Sequence, residues 1–297
     1  MIKFARRGLL IGAVVLGVLA VAQAPATAQS HNPDRIRVAL LPDQDPLTVI
    51  WANKPLAAYL EERLGRPVDL VVPDDYAAII DAMATGEVEL AYFGPASYTI
   101  AHERVKEGPF QIEPFAARMR DGGTTYQSVV VANAESGFSE IEALEGSGVE
   151  VAYGDPASTS SHLAPRFMLL QAGIAADEDY DPVHLGSHDA VAEAVQIGDP
   201  SVGALSKVIF ERLVRERKID PAKVVVIGAT GPLPQYPWTM RSDLAEDLKT
   251  AIRDAFFELR PGSPWADAVL RPFGAEGFAP MRDGDYDIIR SIRAQLG

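Results

Sequence analysis

The first third of the chain alternates short apolar runs with segments whose apolar residues recur every three or four positions. The runs 36–41, 68–72 and 88–93 predict strands, and the segments 55–64 and 76–84 between them predict amphipathic helices. This β-α-β-α-β order predicts an α/β fold, with a mostly parallel sheet flanked by helices. Ligands of such sheets bind beyond the carboxyl ends of the strands.

A second round of the same pattern follows a glycine-rich turn at 121–123. Its predicted strands are 126–132, 149–153, 183–185, 202–205 and 223–227, and its predicted helices are 141–144, 188–197, 207–218 and one led by hydroxyl residues after 157. Two rounds and a late return segment predict two lobes, lobe 1 from 34–125 plus 232–297 and lobe 2 from 126–231. The crossings near 126 and 228–237 would act as hinges of a ligand cleft.

The N-terminus has the pattern of a cleaved signal peptide over residues 1–28. Lys3, Arg6 and Arg7 precede an apolar stretch that is short for a membrane span, and an Ala-x-Ala cleavage site ends at Ala28. We therefore expect an exported, periplasmic protein. A retained anchor is the alternative, and the paired arginines leave the twin-arginine export route open.

Composition narrows the possible partners. The formal net charge is −14, and it becomes −17 once the three basic residues of the leader are removed. Such a surface argues against binding nucleic acid or anionic membranes, so local amides, hydroxyls and helix dipoles would have to hold any anion. With no cysteine, the exported chain relies on its core for stability. We expect a monomer without a cofactor. We also expect no metal, because Gly186 interrupts the His184/His188 pair.

The most informative stretch is 154–162, with the sequence GDPASTSSH. It follows a predicted strand and precedes a helical pattern in which Pro165 suits the first turn. Its hydroxyl residues would then lie at the cap and first turn, where free amides and the helix dipole favour an anion. Plain capping by one Ser or Thr is the alternative, and the stretch alone does not separate the two.

Five motifs in this order resemble a known family. They are PDDYAAII at 73–80, LAYFGP at 90–95, YQSVV at 126–130, GDPASTS at 154–160 and GSHDA at 186–190. The chain resembles the phosphonate- and phosphite-binding proteins of ABC transporters over about 36–273. The resemblance implies a type II periplasmic-binding-protein fold, a ligand trapped between two lobes, delivery to membrane permease subunits, and no enzymatic activity.

The resemblance also implies which residues bind the phosphorus oxyanion. The positions that match the family's ligand-binding residues are Tyr76, Tyr126, Ser158, Thr159, Ser160 and His188. All present O–H or N–H groups, which are strong partners for the oxygens of a tetrahedral anion. Tyr98, at a predicted strand end, is a weaker candidate.

Two departures from the family pattern bear on the ligand. Members that take aminoalkyl phosphonates hold the ammonium with acidic residues, but the matching places here read LSKV at 205–208 and PQYP at 234–237. An unpaired, desolvated ammonium is costly, so we expect a ligand without an amine. Phosphite comes first, then methylphosphonate, phosphate or hypophosphite. Tyr236 would close the cleft over a P–H or P–CH₃ group, and Glu211 is a possible substitute for a missing acid.

Other interpretations remain. A secreted esterase or phosphatase would need a serine with His188 and an acid, but Gly-x-Ser-x-Gly is absent. A binding protein that serves a sensor is a third possibility. Asp43 and Asp45 are expected to cap the next helix, and accepting a proton from a protonated ligand is the alternative. His162 is expected to pack or face solvent, and the charged run 211–218 to form a solvated helix face.

Overall fold

The computed structural model describes residue 1 and residues 30–297, so the predicted signal peptide, apart from Met1, lies outside the described residues. The strands are β1 (Ile36–Leu40), β2 (Val68–Val71), β3 (Leu90–Tyr92), β4 (Ile112–Met119), β5 (Thr125–Tyr126), β6 (Ser128–Asn133), β7 (Val149–Tyr153), β8 (Tyr180–His184), β9 (Val202–Ser206), β10 (Val224–Ala229), β11 (Leu233–Pro234), β12 (Pro237–Arg241) and β13 (Gly277–Pro280). The α-helices are α1 (Pro46–Leu64), α2 (Tyr76–Thr85), α3 (Pro95–Arg104), α4 (Ala164–Gln171), α5 (His188–Ile197), α6 (Lys207–Arg215), α7 (Glu246–Glu258), α8 (Ala266–Leu270) and α9 (Asp287–Leu296). Within the described range, no helix is both long enough and apolar enough to cross a membrane.

The first sheet has the strand order β13-β4-β12-β3-β1-β2. β1 is parallel to β2 and β3, whereas β12 is antiparallel to β3 and β4, and β13 is antiparallel to β4. The sheet is therefore mixed rather than mostly parallel. The sequence pattern missed β4 and β12 because Pro114 lies within the first of these strands and Pro237 begins the second. Trp238 on β12 is fully buried, so this late strand contributes to the core.

The second sheet has the order β10-β6-β9-β7-β8 and is also mixed. β7 is parallel to β8 and β9, and β6 is antiparallel to β9 and β10. Each sheet carries apolar clusters on both of its faces, with helices packed over them. The α/β class is confirmed. One cluster on the first sheet also contains Leu163 and Ala164 from the second lobe, so this apolar core continues from one lobe into the other.

A two-stranded ribbon lies where the chain passes between the sheets. β5 leaves the first sheet and β11 returns to it, with Tyr126 paired to Leu233 and Thr125 to Pro234. The ribbon therefore brings the two crossings of the chain together, and Tyr126 belongs to it.

Helix α1 begins nine residues earlier than predicted, at Pro46 rather than Pro55. Pro55 resembled a first-turn proline in the sequence, but it lies inside the helix. Asp45 is the N-cap, since its Oδ1 accepts the Thr48 amide at 2.9 Å. The capping role expected for both aspartates therefore holds for Asp45 only, and Asp43 is left for another role.

Candidate anion-binding site

The stretch Ser158–Ser161, which we call the serine turn, starts the π-helical turn Thr159–Leu163 ahead of α4. This wider turn was not predicted. Ser158 is its N-cap, with Oγ accepting the Ser161 amide at 3.1 Å, so capping does occur here. The Ser161 hydroxyl accepts the Gly154 amide at 2.8 Å and donates to the Ala204 carbonyl. Ser161 is therefore fully engaged with backbone, and its neighbours carry the remaining hydroxyl chemistry.

Thr159 and Ser160 are buried and face the first lobe. Thr159 Oγ1 accepts the Ala96 amide, at the start of α3, at 2.7 Å, which links the two lobes directly. Its hydroxyl proton is still available for donation. Ser160 Oγ lies 3.4 Å from Tyr236 Oη. Each of these hydroxyls can thus offer a hydrogen bond to an oxygen placed beside the turn.

Three predicted tyrosines converge on the turn from the first lobe and the ribbon. Tyr76 begins α2, and burial followed by the charge of Asp43 holds its pKa well above the usual range, with the Ser158 hydroxyl close by. Burial likewise raises the pKa of Tyr126 and Tyr236, whose rings pack edge to face at 5.2 Å. All three phenols keep their protons at neutral pH. Among the described residues, Tyr126 Oη is buried without a hydrogen-bond partner.

His188 reaches the site as the first residue of α5. Its Nδ1 accepts the Ser206 amide at 3.2 Å, which assigns the ring proton to Nε2. Burial, followed by the nearby charge of Arg212, lowers its pKa to about 3, so the ring is neutral. Nε2–H is a buried donor with no partner in the described part of the chain. His188 is therefore set up to donate one hydrogen bond without bringing charge.

Asp43 also lies in this region, although capping was the role preferred for it from the sequence. Its carbonyl accepts the His188 backbone amide at 3.0 Å across the lobes, and its carboxylate accepts a hydrogen bond from Gln44 Nε2 at 3.1 Å. Burial raises the pKa of Asp43 to about 6, with the charge of Asp189 adding to the rise and Arg118 opposing it. The available signal was its position directly after the first strand, where ligands of α/β sheets bind.

A cavity of about 260 Å³ adjoins these residues and is lined from both lobes. Tyr126 and Tyr236 line it, as do Asp43 and Ser206. Helix α6, which was predicted to present a solvated charged face, also lines the cavity. Its Arg212 points into the cavity and pairs with Asp189 at 3.2 Å. The expectation of a solvated face over 211–218 was therefore wrong for Arg212.

Tyr98 lies elsewhere. Its hydroxyl donates to Asp283 at 2.7 Å and its ring packs on Tyr286, so it belongs to the core of the first lobe rather than to the site. His162 packs as expected, with Nδ1 at 2.8 Å from the Pro156 carbonyl. In the described ranges, no group of three or more His, Cys, Asp or Glu side chains is arranged to hold a metal.

A family model described as "ABC transporter, phosphonate, periplasmic substrate-binding protein" matches residues 38–286. The chain belongs to this phosphonate-binding family. It is 25% identical over 294 residues to a phosphate-import protein of Mycolicibacterium smegmatis, covering 90% of this chain and 87% of that protein. It is 27% identical over 240 residues to the phosphonates-binding periplasmic protein of Escherichia coli, covering 80% and 70% respectively.

Solved structures agree with the family assignment. A Prochlorococcus marinus protein in complex with methylphosphonate superposes with a TM-score of 0.81 at 22% identity, covering 89% of this chain and 99% of that one. A binding-protein component of an ABC phosphonate transporter from Pseudomonas aeruginosa gives 0.80 at 22% identity, covering 90% and 87%. The expected type II periplasmic-binding-protein fold is confirmed by these likenesses.

Family membership makes the chain a periplasmic substrate-binding protein and not an enzyme, as expected from the resemblance. The geometry agrees with that conclusion. Among the described residues, His188 Nε2 has no hydrogen bond to any serine hydroxyl, which a Ser-His nucleophile would need. This geometry does not support the secreted hydrolase considered as an alternative.

Proposed function

We propose that this protein traps a small phosphorus oxyanion without an amine between its lobes and delivers it to the permease of an ABC importer. The observation that carries the proposal is the pair of buried, unpartnered donors beside the serine turn, Tyr126 Oη and His188 Nε2. A buried donor without a partner loses the hydrogen bonds it made with water. An oxyanion at the turn would supply the missing acceptors.

The anion would be held by Tyr76, Tyr126, Ser158, Thr159, Ser160 and His188, with Tyr236 closing over it. Every group in this set is neutral, so binding relies on directed hydrogen bonds rather than on net charge. Phosphite is the first candidate, followed by methylphosphonate, phosphate and hypophosphite. The ammonium of an aminoalkyl phosphonate is disfavoured, because Ser206 stands where those family members place an acid and four arginines line the adjacent cavity.

Closure would follow from the same contacts. Ser158, Thr159, Ser160 and His188 belong to the second sheet's lobe, whereas Tyr76 belongs to the first. A ligand that touches both lobes stabilises the closed arrangement, which the permease would recognise. Tyr126 lies on the ribbon that would act as the hinge. We also propose that the protein functions as a monomer after cleavage of its leader following Ala28.

The test is calorimetric titration of the chain from residue 29 onward with phosphite, methylphosphonate, phosphate and 2-aminoethylphosphonate. We expect phosphite or methylphosphonate to bind at sub-millimolar Kd and 2-aminoethylphosphonate to bind more weakly. Preference for 2-aminoethylphosphonate would contradict the amine-free ligand, and no binding of any of the four would contradict the proposed function.

A matched pair of variants tests the site itself. Tyr126→Phe removes a hydroxyl that has no partner in the described residues, whereas Tyr98→Phe removes one bonded to Asp283. Tyr126→Phe should weaken binding by roughly 10- to 100-fold with little loss of thermal stability, since a hydrogen bond to a charged group contributes about 1.5–3 kcal/mol. Tyr98→Phe should lower the melting temperature and leave the affinity unchanged. The reverse pattern would overturn the site assignment.

A further inference from the structure

The cavity beside the anion site contains no residue of the serine turn among its walls, but it shares Tyr126 and Tyr236 with the anion site. Its walls include Tyr236, whose hydroxyl lies near Ser160, and Tyr92, whose ring centroid is 5.6 Å from that of Tyr236. The guanidinium of Arg118 stacks over Tyr92 at 4.4 Å. Two aromatic rings therefore lead from the anion site to a buried arginine. A volume of about 260 Å³ leaves room for a substituent of several atoms on the phosphorus.

The charge of this cavity opposes that of the protein as a whole. The charged residues lining it are Arg118, Arg120, Arg212, Arg215, Asp43 and Glu216. Arg212 is already paired, with Asp189 at 3.2 Å and Glu216 at 2.7 Å. The other three arginines take part in none of the ion pairs within the described ranges. In a chain of formal net charge −14, this is a local excess of positive charge.

Arg118 is the most unusual member of this set. It is 4% exposed, and its one hydrogen bond to the described part of the chain goes to Asn53 Oδ1 at 3.3 Å. The Phe273 ring centroid lies 3.5 Å from Arg118 Cζ. Stacking on this ring fixes the orientation of the planar guanidinium. Asp43 is the nearby acidic group that acts on its charge. No Arg118 nitrogen is both fully buried and without a partner in the described residues, so the donors that do not contact Asn53 face the cavity, where an anion could accept them.

We propose that the protein also binds ligands in which phosphorus carries a second anionic group, a carboxylate on a short chain, which Arg118 and Arg120 hold in this cavity. The inference rests on the proposed function, because the phosphorus oxyanion must occupy the serine turn for the carboxylate to reach the arginines. Phosphite would accept hydrogen bonds from the serine turn alone, whereas a phosphonocarboxylate would also accept hydrogen bonds from the cavity arginines. Arginine suits this task because its fork matches the two oxygens of a carboxylate. The same charge explains why an ammonium has no place here.

The experiment compares phosphonoacetate with ethylphosphonate, which has a similar length and no carboxylate, by calorimetry on the same protein. We expect phosphonoacetate to bind at least tenfold more tightly than ethylphosphonate, with the difference shrinking as salt is raised. Equal or weaker binding of phosphonoacetate, with ethylphosphonate still bound, would overturn this inference and leave the proposed function intact. Failure of both ligands, together with phosphite and methylphosphonate, would instead overturn the proposed function.

Variants assign the preference to the arginines. Arg118→Gln should weaken the binding of phosphonoacetate by a factor at least ten times larger than the factor for ethylphosphonate. Arg120→Gln, at a less buried position, should reduce the same preference and serves if Arg118→Gln does not fold. Arg35→Gln removes an equal charge from an exposed pair with Asp69, and should leave the preference unchanged. A preference retained in both cavity variants, or lost in Arg35→Gln, would show that the cavity arginines do not bind the carboxylate.

Discussion

The serine turn and the arginine-lined cavity lie side by side between the same two lobes, but they offer different chemistry to a ligand. The turn presents neutral hydroxyls and a neutral imidazole, with His188 held uncharged by burial. The cavity presents four arginines, of which Arg118 is buried and donates to Asn53 Oδ1. Neutral donors fix the geometry of an oxyanion, whereas cations distinguish ligands by what else they carry. Affinity for the shared head group and selectivity for the substituent would thus be set in different places.

The largest effect should come from removing two hydroxyls of the serine turn together. Ser158→Ala with Ser160→Ala should weaken every phosphorus ligand by about 100-fold or more, because two hydrogen bonds to a charged group are lost. If the two regions are distinct, phosphonoacetate and ethylphosphonate lose affinity by the same factor. Calorimetry with both ligands measures this.

Ser161→Ala is the control for that double variant. The Ser161 hydroxyl bonds to backbone on both sides, so its removal should lower the free energy of unfolding by about 1–3 kcal/mol and leave affinity nearly unchanged. If Ser161→Ala weakens binding as much as the double variant does, the shape of the turn, and not its hydroxyls, determines affinity.

A smaller effect is expected at Asp43, which borders both regions. Its folded-state pKa of about 6 exceeds the ordinary value of 3.8, so the carboxylate is charged above pH 6 beside the bound anion. Wild-type affinity should therefore fall roughly tenfold more than that of Asp43→Asn between pH 5 and pH 7.5. The variant's own profile accounts for ionisation of the ligand. A wild-type affinity that instead rises with pH, relative to Asp43→Asn, would mean that the ligand donates a proton to Asp43.

The same carboxyl also affects stability. Between pH 4 and pH 6 the folded protein holds a proton that the unfolded chain has released, so the contribution of Asp43 to stability falls as pH rises and is fully lost above pH 6. Asp43→Asn should remove a penalty on the order of 3 kcal/mol at pH 7.5. Thermal unfolding without ligand at pH 4 and pH 7.5 measures the difference.

A single-hydroxyl effect is expected at Thr159, which links the lobes through the Ala96 amide. Thr159→Val keeps the shape but removes this bond and one hydroxyl of the turn, whereas Thr159→Ser retains both. Thr159→Val should weaken binding roughly 10- to 100-fold beyond Thr159→Ser, because one hydrogen bond to a charged group is lost. Small-angle scattering should show a larger radius of gyration of the variant without ligand. An unchanged radius would indicate that the Thr159–Ala96 bond does not hold the lobes together.

Most residues of the serine turn could be predicted from the sequence, because they are contiguous in the chain. The run of hydroxyls after a strand, and a histidine opening a helix, are contiguous features whose placement depends on neighbouring residues. Tyr126 and Tyr236 were likewise predicted from motifs, and the structure places both beside Ser160. Their roles as ligand contacts remain predictions.

The cavity was not accessible in the same way, because burial of a charge is decided by distant parts of the chain. Arg118 lies on a strand that was not predicted, and its stacking partners Tyr92 and Phe273 are far from it in sequence. Asp43 was expected to cap the next helix, but α1 begins at Pro46 and its N-cap is Asp45, two residues later in the chain. Tyr98 was misplaced because a tyrosine at a strand end can face either the cleft or the core.

The position of β12 determines the order in which the lobes can be completed. β12 lies between β3 and β4, but it follows the whole of the second sheet in the chain. A polypeptide delivered N-terminus first therefore supplies every strand of the second lobe while the first lobe still lacks an inner strand and the fully buried Trp238. Domains generally fold as units during synthesis, so the second lobe, with the serine turn, should form first. The donors contributed by the second lobe would be in place before the first lobe is complete enough to cover them.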